Sequence, residues 1–230
     1  MAVRNRRIIK NYWEENIERF AGFYGKQSGE DIIAPSFISF IYRNLIFPIE
    51  RKFMVDRYNI VCSYIEKNVR DGMKVADVGC GSGIFTGQMA SKEAKVYAID
   101  YNESALSLTK KNLSIDQLKY VEFLKLDIVD EHIPTVDLVI SIGVLPYIND
   151  IDKYFDNILP FTSLFLFNFL EHNHPLNKLR RKIPVLDVRN YSYHSFQEIR
   201  RKIEDKKFGI ISIEKLATGF VVESKRTSFY

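Results

Sequence analysis

The sequence predicts an α/β protein built on a doubly wound, mostly parallel sheet. Beyond residue 73, short runs rich in β-branched residues alternate with helix-length stretches of mixed polar and apolar pattern. The first run stops in VADVGCGSGIF (Val75–Phe85), where Gly79, Gly81 and Gly83 occupy alternate positions. The last two runs, GIISIEKL (209–216) and GFVVESK (219–225), are separated only by Ala217-Thr218. So tight a connection joins antiparallel neighbours, which gives a parallel sheet an antiparallel end.

A chain of 230 residues suffices for one sizeable domain of this class with a modest extension. The hydrophobic share of 46% is ordinary for a globular protein, so no disordered region is expected. Lys and Arg total 33 against 29 Asp and Glu, and the resulting charge of +4 is too small to argue for nucleic acid. Two cysteines, Cys62 and Cys80, form neither a disulfide framework nor a zinc pattern, which points to a reducing compartment and a cytoplasmic protein. The start, MAVRNRRIIKNYW, is basic but lacks the apolar core of a signal peptide. The most apolar segment, Ile32–Ile49, is interrupted by Pro35, Arg43 and Pro48, which argues against a membrane span.

The elements follow in order. Residues 3–20 have helical spacing through Ile8, Ile9, Trp13, Ile17 and Phe20. A second helix is expected over about 36–45 and a third over about 50–68, the latter with Phe53, Met54, Tyr58, Val61, Tyr64 and Ile65 on one side. Strands are expected at 74–79, 95–100, 120–126, 137–143 and 163–169, and helices at 84–91, 103–115, 150–158 and 195–205.

In such a sheet, ligands bind beyond the carboxyl ends of the strands. Gly79, Gly81 and Gly83 allow a tight turn and a close backbone approach there, and the helix that follows offers N–H groups to an anion. The second strand ends in Asp100, placed to accept hydrogen bonds from two ribose hydroxyls. The loop therefore asks for a nucleoside with an anionic part. Its order is G-x-G-x-G, with Ile84 where the dinucleotide fingerprint needs its third glycine. Asp77, two residues before the loop, would gain nothing from a pyrophosphate but would favour an ammonium. S-adenosylmethionine carries both an ammonium and a carboxylate at its amino-acid end.

VADVGCGSG followed by VYAIDYNESAL resembles the first two motifs of the class I S-adenosylmethionine-dependent methyltransferases, a likeness specific as to cofactor and not as to substrate. LKLDI (124–128) and VDLVISIGVLPYI (136–148) resemble the third and fourth, so the likeness covers roughly residues 55–225. The resemblance implies a seven-stranded sheet of order 3-2-1-4-5-7-6 with the last strand antiparallel. It also implies a cofactor site: Gly79, Cys80, Gly81 and Gly83 at the methionine end with Asp77 beneath, Asp100 and Tyr101 at the ribose, Asp127 and Ile128 at the adenine, and Ser141 and Ile142 beside the sulfonium.

Methyl transfer from a sulfonium needs a positioned nucleophile and, for an oxygen acceptor, a base. Tyr147, after the fourth strand, and His172 and His174, after the fifth, are the candidate catalytic residues. The two histidines are spaced like metal ligands, but no third ligand cluster accompanies them and no metal is expected. The stretch Ser141–Tyr147 lacks the carboxamide clamp of adenine and glutamine methyltransferases, and Ser141 stands where the metal-dependent catechol type has an acid. The acceptor expected is an O or N atom of a small molecule such as a sugar, lipid or secondary-metabolite intermediate.

Residues 1–50 are expected to form a helical lid, aromatic through Tyr12, Trp13, Phe20, Phe23, Tyr24, Phe37, Phe40 and Tyr42, ahead of a cofactor domain over 51–230. An insertion at 174–196 carries Lys178, Arg180, Arg181 and Lys182. These four read either as a solvated face or as a site for an anionic partner: a substrate phosphate, a nucleotide-sugar or a membrane surface. Two rival functions stay open, a nucleic-acid methyltransferase using the basic segments 4–10 and 178–182, and a cofactor-binding subunit that only supports a partner.

Overall fold

The structure, a computed structural model, describes residue 44 and residues 47–182 and 191–227. The helix expected over 3–20, the lid aromatics from Tyr12 to Tyr42 and residues 183–190 of the insertion lie outside the described residues.

The chain enters through α1 (Phe47–Asn68) and then alternates strands and helices: β1 (Lys74–Val78), α2 (Ile84–Ala90), β2 (Lys95–Asp100), α3 (Glu103–Asn112), the single turn α4 (Ile115–Leu118), β3 (Val121–Lys125) and β4 (Leu138–Ser141). After β4 come a 3-10 turn at Leu145–Tyr147, α5 (Ile151–Ile158) and β5 (Leu164–Leu170). The chain ends in α6 (Pro175–Lys182), α7 (Phe196–Asp205), β6 (Phe208–Lys215) and β7 (Gly219–Arg226). The seven strands lie in the order β3-β2-β1-β4-β5-β7-β6, as the resemblance implied. Pairings among β1 to β5 are parallel, and β7 runs antiparallel to both β5 and β6. The Leu216–Thr218 connection closes with a Leu216 N–H to Gly219 C=O bond of 2.9 Å, the tight link the sequence demanded.

Strand alternation sorts the core into two main layers. One face takes Ala76, Val78, Val139, Phe165, Phe167 and Phe169 under α5 and α7. The other takes Val75, Leu138, Ile140, Leu166 and Leu170 under α1 and α2, with Phe53, Val61 and Ile65 of α1 fully or nearly buried. A helix-covered parallel sheet needs strands apolar on both faces, which is why SLFLFNF shows no alternation in sequence. Helix starts are set by local chemistry: Asn102, Asp150 and Ser195 each accept a backbone N–H from the first turn of α3, α5 and α7.

Two expectations for the basic insertion change. Lys178, Arg180, Arg181 and Lys182 lie on a helix, α6, and not all of them face solvent. Arg180 is 3% exposed and donates to Glu50 of α1 at 2.7 Å, and Asn177 beside it donates to the Glu171 and Thr218 carbonyls. Arg181 donates to the His172 carbonyl and lies 5.9 Å from the Tyr193 ring. The cluster therefore docks a helix on the sheet end as well as presenting charge, because only a partnered guanidinium tolerates burial. Among the described residues, no helix is long and apolar enough to cross a membrane.

Candidate active site

The carboxyl ends of β1, β2 and β4 meet at the glycine loop. Gly79, Gly81 and Gly83 all have positive φ, at 75°, 56° and 79°. Non-glycine residues are strained there. Space enforces the choice as well: a Cβ on Gly79 would stand 2.2 Å from Val144 Cγ2, and one on Gly83 2.6 Å from Thr109 Cγ2. The loop is thus pinned between the post-β4 segment and α3. Gly79 and Cys80 both donate to the Ile99 carbonyl, and Gly81 donates to Asp100 Oδ2 at 3.2 Å.

Asp100 ends β2 and is nearly buried. Its Oδ1 accepts the Asn102 N–H at 3.0 Å, so both oxygens are oriented by backbone donors. Burial pushes its carboxyl up to about 6, opposed by the backbone donors Asn102, Gly81 and Tyr101 and reinforced by Asp127. Asp77 is 2% exposed on the α2 side of β1 and accepts the Thr86 hydroxyl at 2.5 Å. Burial also raises its carboxyl to about 6, the Thr86 bond lowering it and the Asp100 charge raising it. Two carboxylates with raised values thus flank one loop, and such a pair favours a ligand that brings donors or positive charge.

The remaining expected residues are placed as follows. Cys80 is buried against Ala98 and Leu106, near the Thr109 hydroxyl, and burial raises its thiol far above the ordinary range. It contributes backbone and packing here, not a thiolate. Tyr101 is half-buried beside Asp100. Asp127 Oδ1 accepts the Val129 N–H at 3.1 Å and so shapes the turn after β3, while the buried Ile128 accepts from Asn157 Nδ2 through its carbonyl. Ser141 is fully buried and its Oγ accepts the Tyr154 hydroxyl at 2.7 Å, on the α5 side. Only its backbone is left to face the loop. Ile142 packs in the opposite layer, with α1.

The candidate bases are not brought together. Tyr147 lies after β4 with its ring 5.3 Å from Tyr191. His172 is tied through its backbone, its N–H to the His194 carbonyl and its carbonyl to Arg181. His174 lies toward Lys215 and Arg180. Burial and those two charges lower its imidazole, with Glu171 opposing, and Nδ1 has no partner among the described residues. Among the described residues, no group of three or more His, Cys, Asp or Glu could hold a metal.

Sequence reasoning missed four residues near this end of the sheet. Thr86 supports Asp77. His194, buried next to Glu198 at 3.5 Å, stitches 191–194 onto β5 through a bridge to Glu171. Asn168 of β5 accepts the Gly143 N–H at 2.6 Å, and Arg57 of α1 lies against the same glycine. The readable signal is the polar residue inside the apolar SLFLFNF; Arg57 is one of four cations in α1 and the sequence does not set it apart.

Known proteins place this architecture. Residues 69–170, from the end of α1 to the end of β5, match the family model described as a methyltransferase domain. The ribosomal protein L11 methyltransferase of Acetivibrio thermocellus is 34% identical over 104 residues, which is 44% of this chain and 33% of that protein. The mitochondrial ubiquinone biosynthesis O-methyltransferase of Schizosaccharomyces pombe is 33% identical over 86 residues, 36% of this chain and 31% of that protein. The chain thus spans about a third of the length of these curated relatives. Magnesium protoporphyrin IX methyltransferase (ChlM) from Synechocystis PCC 6803, solved with bound SAH, superposes with a TM-score of 0.72. It is 18% identical, covering 97% of this chain and 100% of that one, and so shares the fold.

Proposed function

Since residues 69–170 match a family model described as a methyltransferase domain, we propose that the protein is an S-adenosylmethionine-dependent methyltransferase acting on an O or N atom of a small molecule. The observation that carries the reading is the loop itself: three left-handed glycines, two of them in places a Cβ would fill, facing the Asp100 carboxylate at the end of the next strand. These residues fit the cofactor. In this reading Asp100, its oxygens already aimed by Gly81 and Asn102, accepts the ribose hydroxyls, with Tyr101 against the sugar and Asp127 and Ile128 at the adenine. Gly79–Gly83 admit the amino-acid end, and Asp77 favours its ammonium. Ser141 and Ile142 supply the floor beside the reacting sulfur.

Bound S-adenosylmethionine supplies an electrophilic methyl group. The chain's own share is to hold the acceptor in line, exclude water and take up a proton where the acceptor is a hydroxyl. Tyr147, His172 and His174 are the residues proposed for that proton. Residues 1–50 are proposed as the cap that covers the acceptor.

Small-molecule acceptors are favoured over nucleic acid by one observation. Arg180 of the basic segment is turned inward onto Glu50, so the segment does not present four cations as a phosphate track. The test is a crystal structure with S-adenosylhomocysteine. The ribose should lie on Asp100 and the homocysteine over Gly79–Gly83; a nucleoside elsewhere on the molecule would reject the reading.

A further inference from the structure

At the carboxyl end of β4 the chain leaves the sheet through Gly143, and side chains from two other elements meet at that residue. Asn168 of β5 is 0% exposed, and its Oδ1 accepts the Gly143 N–H at 2.6 Å. This bond fixes the amide: oxygen faces Gly143, so Nδ2 and its two hydrogens face away from it. Nδ2 is buried and has no hydrogen-bond partner among the described residues. By strand alternation Asn168 shares a side of β5 with Leu166 and Leu170, the side covered by α1. Arg57 of α1 occupies the same layer: a Cβ on Gly143 would stand 3.3 Å from its Nη1. Arg57 is 8% exposed, with its guanidinium 5.5 Å from the Phe53 ring centre and Nη2 3.2 Å from Met54 Sδ.

Buried donors in folded proteins are nearly always satisfied, so a buried amide nitrogen with no partner among the described residues points to a ligand oxygen. A guanidinium in the same layer adds positive charge and a planar fork, which selects a carboxylate over a neutral carbonyl. We propose that Asn168 Nδ2 and the Arg57 guanidinium bind a carboxylate of the small molecules held at the end of β4. This deepens the methyltransferase reading and rests on it. The carboxylate has two sources, the amino-acid end of the cofactor or a carboxylate on the methyl acceptor.

Two variants separate the cases. Asn168→Asp keeps an acceptor for the Gly143 N–H but replaces the donor with negative charge, and Arg57→Gln removes the cation. Each is titrated calorimetrically with S-adenosylhomocysteine, with 5′-methylthioadenosine, which lacks the amino-acid carboxylate, and with benzoate on S-adenosylhomocysteine-saturated protein. Binding of one carboxylate ligand should weaken roughly tenfold or more in both variants, while methylthioadenosine binds as to the wild type. Weakened S-adenosylhomocysteine assigns the pair to the cofactor, and weakened benzoate assigns it to the acceptor. Unchanged S-adenosylhomocysteine affinity without any variant-sensitive benzoate binding overturns the proposal, as does an equal loss for methylthioadenosine. Wild-type protein that binds neither nucleoside would instead reject the methyltransferase reading, and the proposal would fall with it.

Discussion

The Gly81 amide donates to the Asp100 carboxylate at 3.2 Å, so the loop after β1 and the acid that ends β2 form one hydrogen-bonded unit. The same carboxyl is pushed up to about 6 by burial. The proposed acceptor of ribose hydroxyls is thus held in place by backbone donors, at a desolvation cost that a bound ligand's own donors can offset.

This makes cofactor affinity dependent on pH. Ribose hydroxyls donate best to the ionised carboxylate, which forms as pH rises through about 6. Affinity for S-adenosylhomocysteine should therefore fall as pH drops from 7 to 5, and binding near pH 6 should release protons. Titrations in two buffers of different ionisation enthalpy measure that release directly. A flat affinity across this range would show that Asp100 stays out of the nucleoside contact.

Asp77 gives the matching statement for stability. Its folded value of about 6 lies above the ordinary 3.8, so the folded state holds its proton more tightly than the unfolded one. Its unfavourable contribution therefore grows as pH rises from about 4 to about 6 and is complete above that. Asp77→Asn keeps an oxygen for the Thr86 hydroxyl and should stabilise the protein by roughly 1–3 kcal/mol at pH 7.5 but little at pH 4. Urea unfolding at the two pH values reads the difference. In the proposed function the same variant should weaken S-adenosylmethionine binding, since the ammonium loses its carboxylate.

Gly79→Ala meets two obstacles, a φ of 75° and a methyl 2.2 Å from Val144 Cγ2. It should cost about 1–3 kcal/mol. Adding Val144→Ala removes the overlap but not the backbone strain, so the double variant should recover part of that loss. Complete recovery would mean that the left-handed backbone is tolerated by alanine here.

The Arg180–Glu50 pair joins α6 to the start of α1, with one side chain 3% and the other 17% exposed. Glu50→Gln leaves a buried guanidinium without its counter-charge and should destabilise by about 3–5 kcal/mol, less to the extent that Glu50 remains wetted. Chemical denaturation of Glu50→Gln, of Arg180→Met and of the double variant tests this. The double change should be milder than the sum of the two.

Much of this architecture is legible in the sequence because it is set by local signals. Glycine positions, the strand-ending Asp100 and the two-residue gap at Ala217-Thr218 each have one economical reading, and the seven strands fall where the runs of Val, Ile and Phe predict. What escaped depends on which face of a strand a residue takes. Ser141 looks like a loop-facing residue, but strand alternation turns its hydroxyl to Tyr154 in the α5 layer. Arg180 looks solvated in a run of cations, but it is buried between Asn177 and Glu50, and the counter-charge on Glu50 comes from 130 positions away. Asn168 stands out as the polar residue of SLFLFNF, but its partner Gly143 does not show in the sequence, because the bond is made between the ends of two parallel strands. His172 and His174 follow β5 in sequence, but the turn into α6 carries His174 toward Lys215.

In the proposed function the glycine loop and Asp100 bind S-adenosylmethionine rather than a dinucleotide. Calorimetric titration of the wild type and Asp100→Ala with S-adenosylmethionine, S-adenosylhomocysteine and NAD tests it most directly. The wild type should bind both adenosyl compounds and ignore NAD. Asp100→Ala should lose up to about 1.5–3 kcal/mol for each hydrogen bond to the charged acceptor, at least tenfold in affinity. NAD binding without a response to S-adenosylmethionine, or an Asp100→Ala protein that binds as tightly as the wild type, would contradict the account.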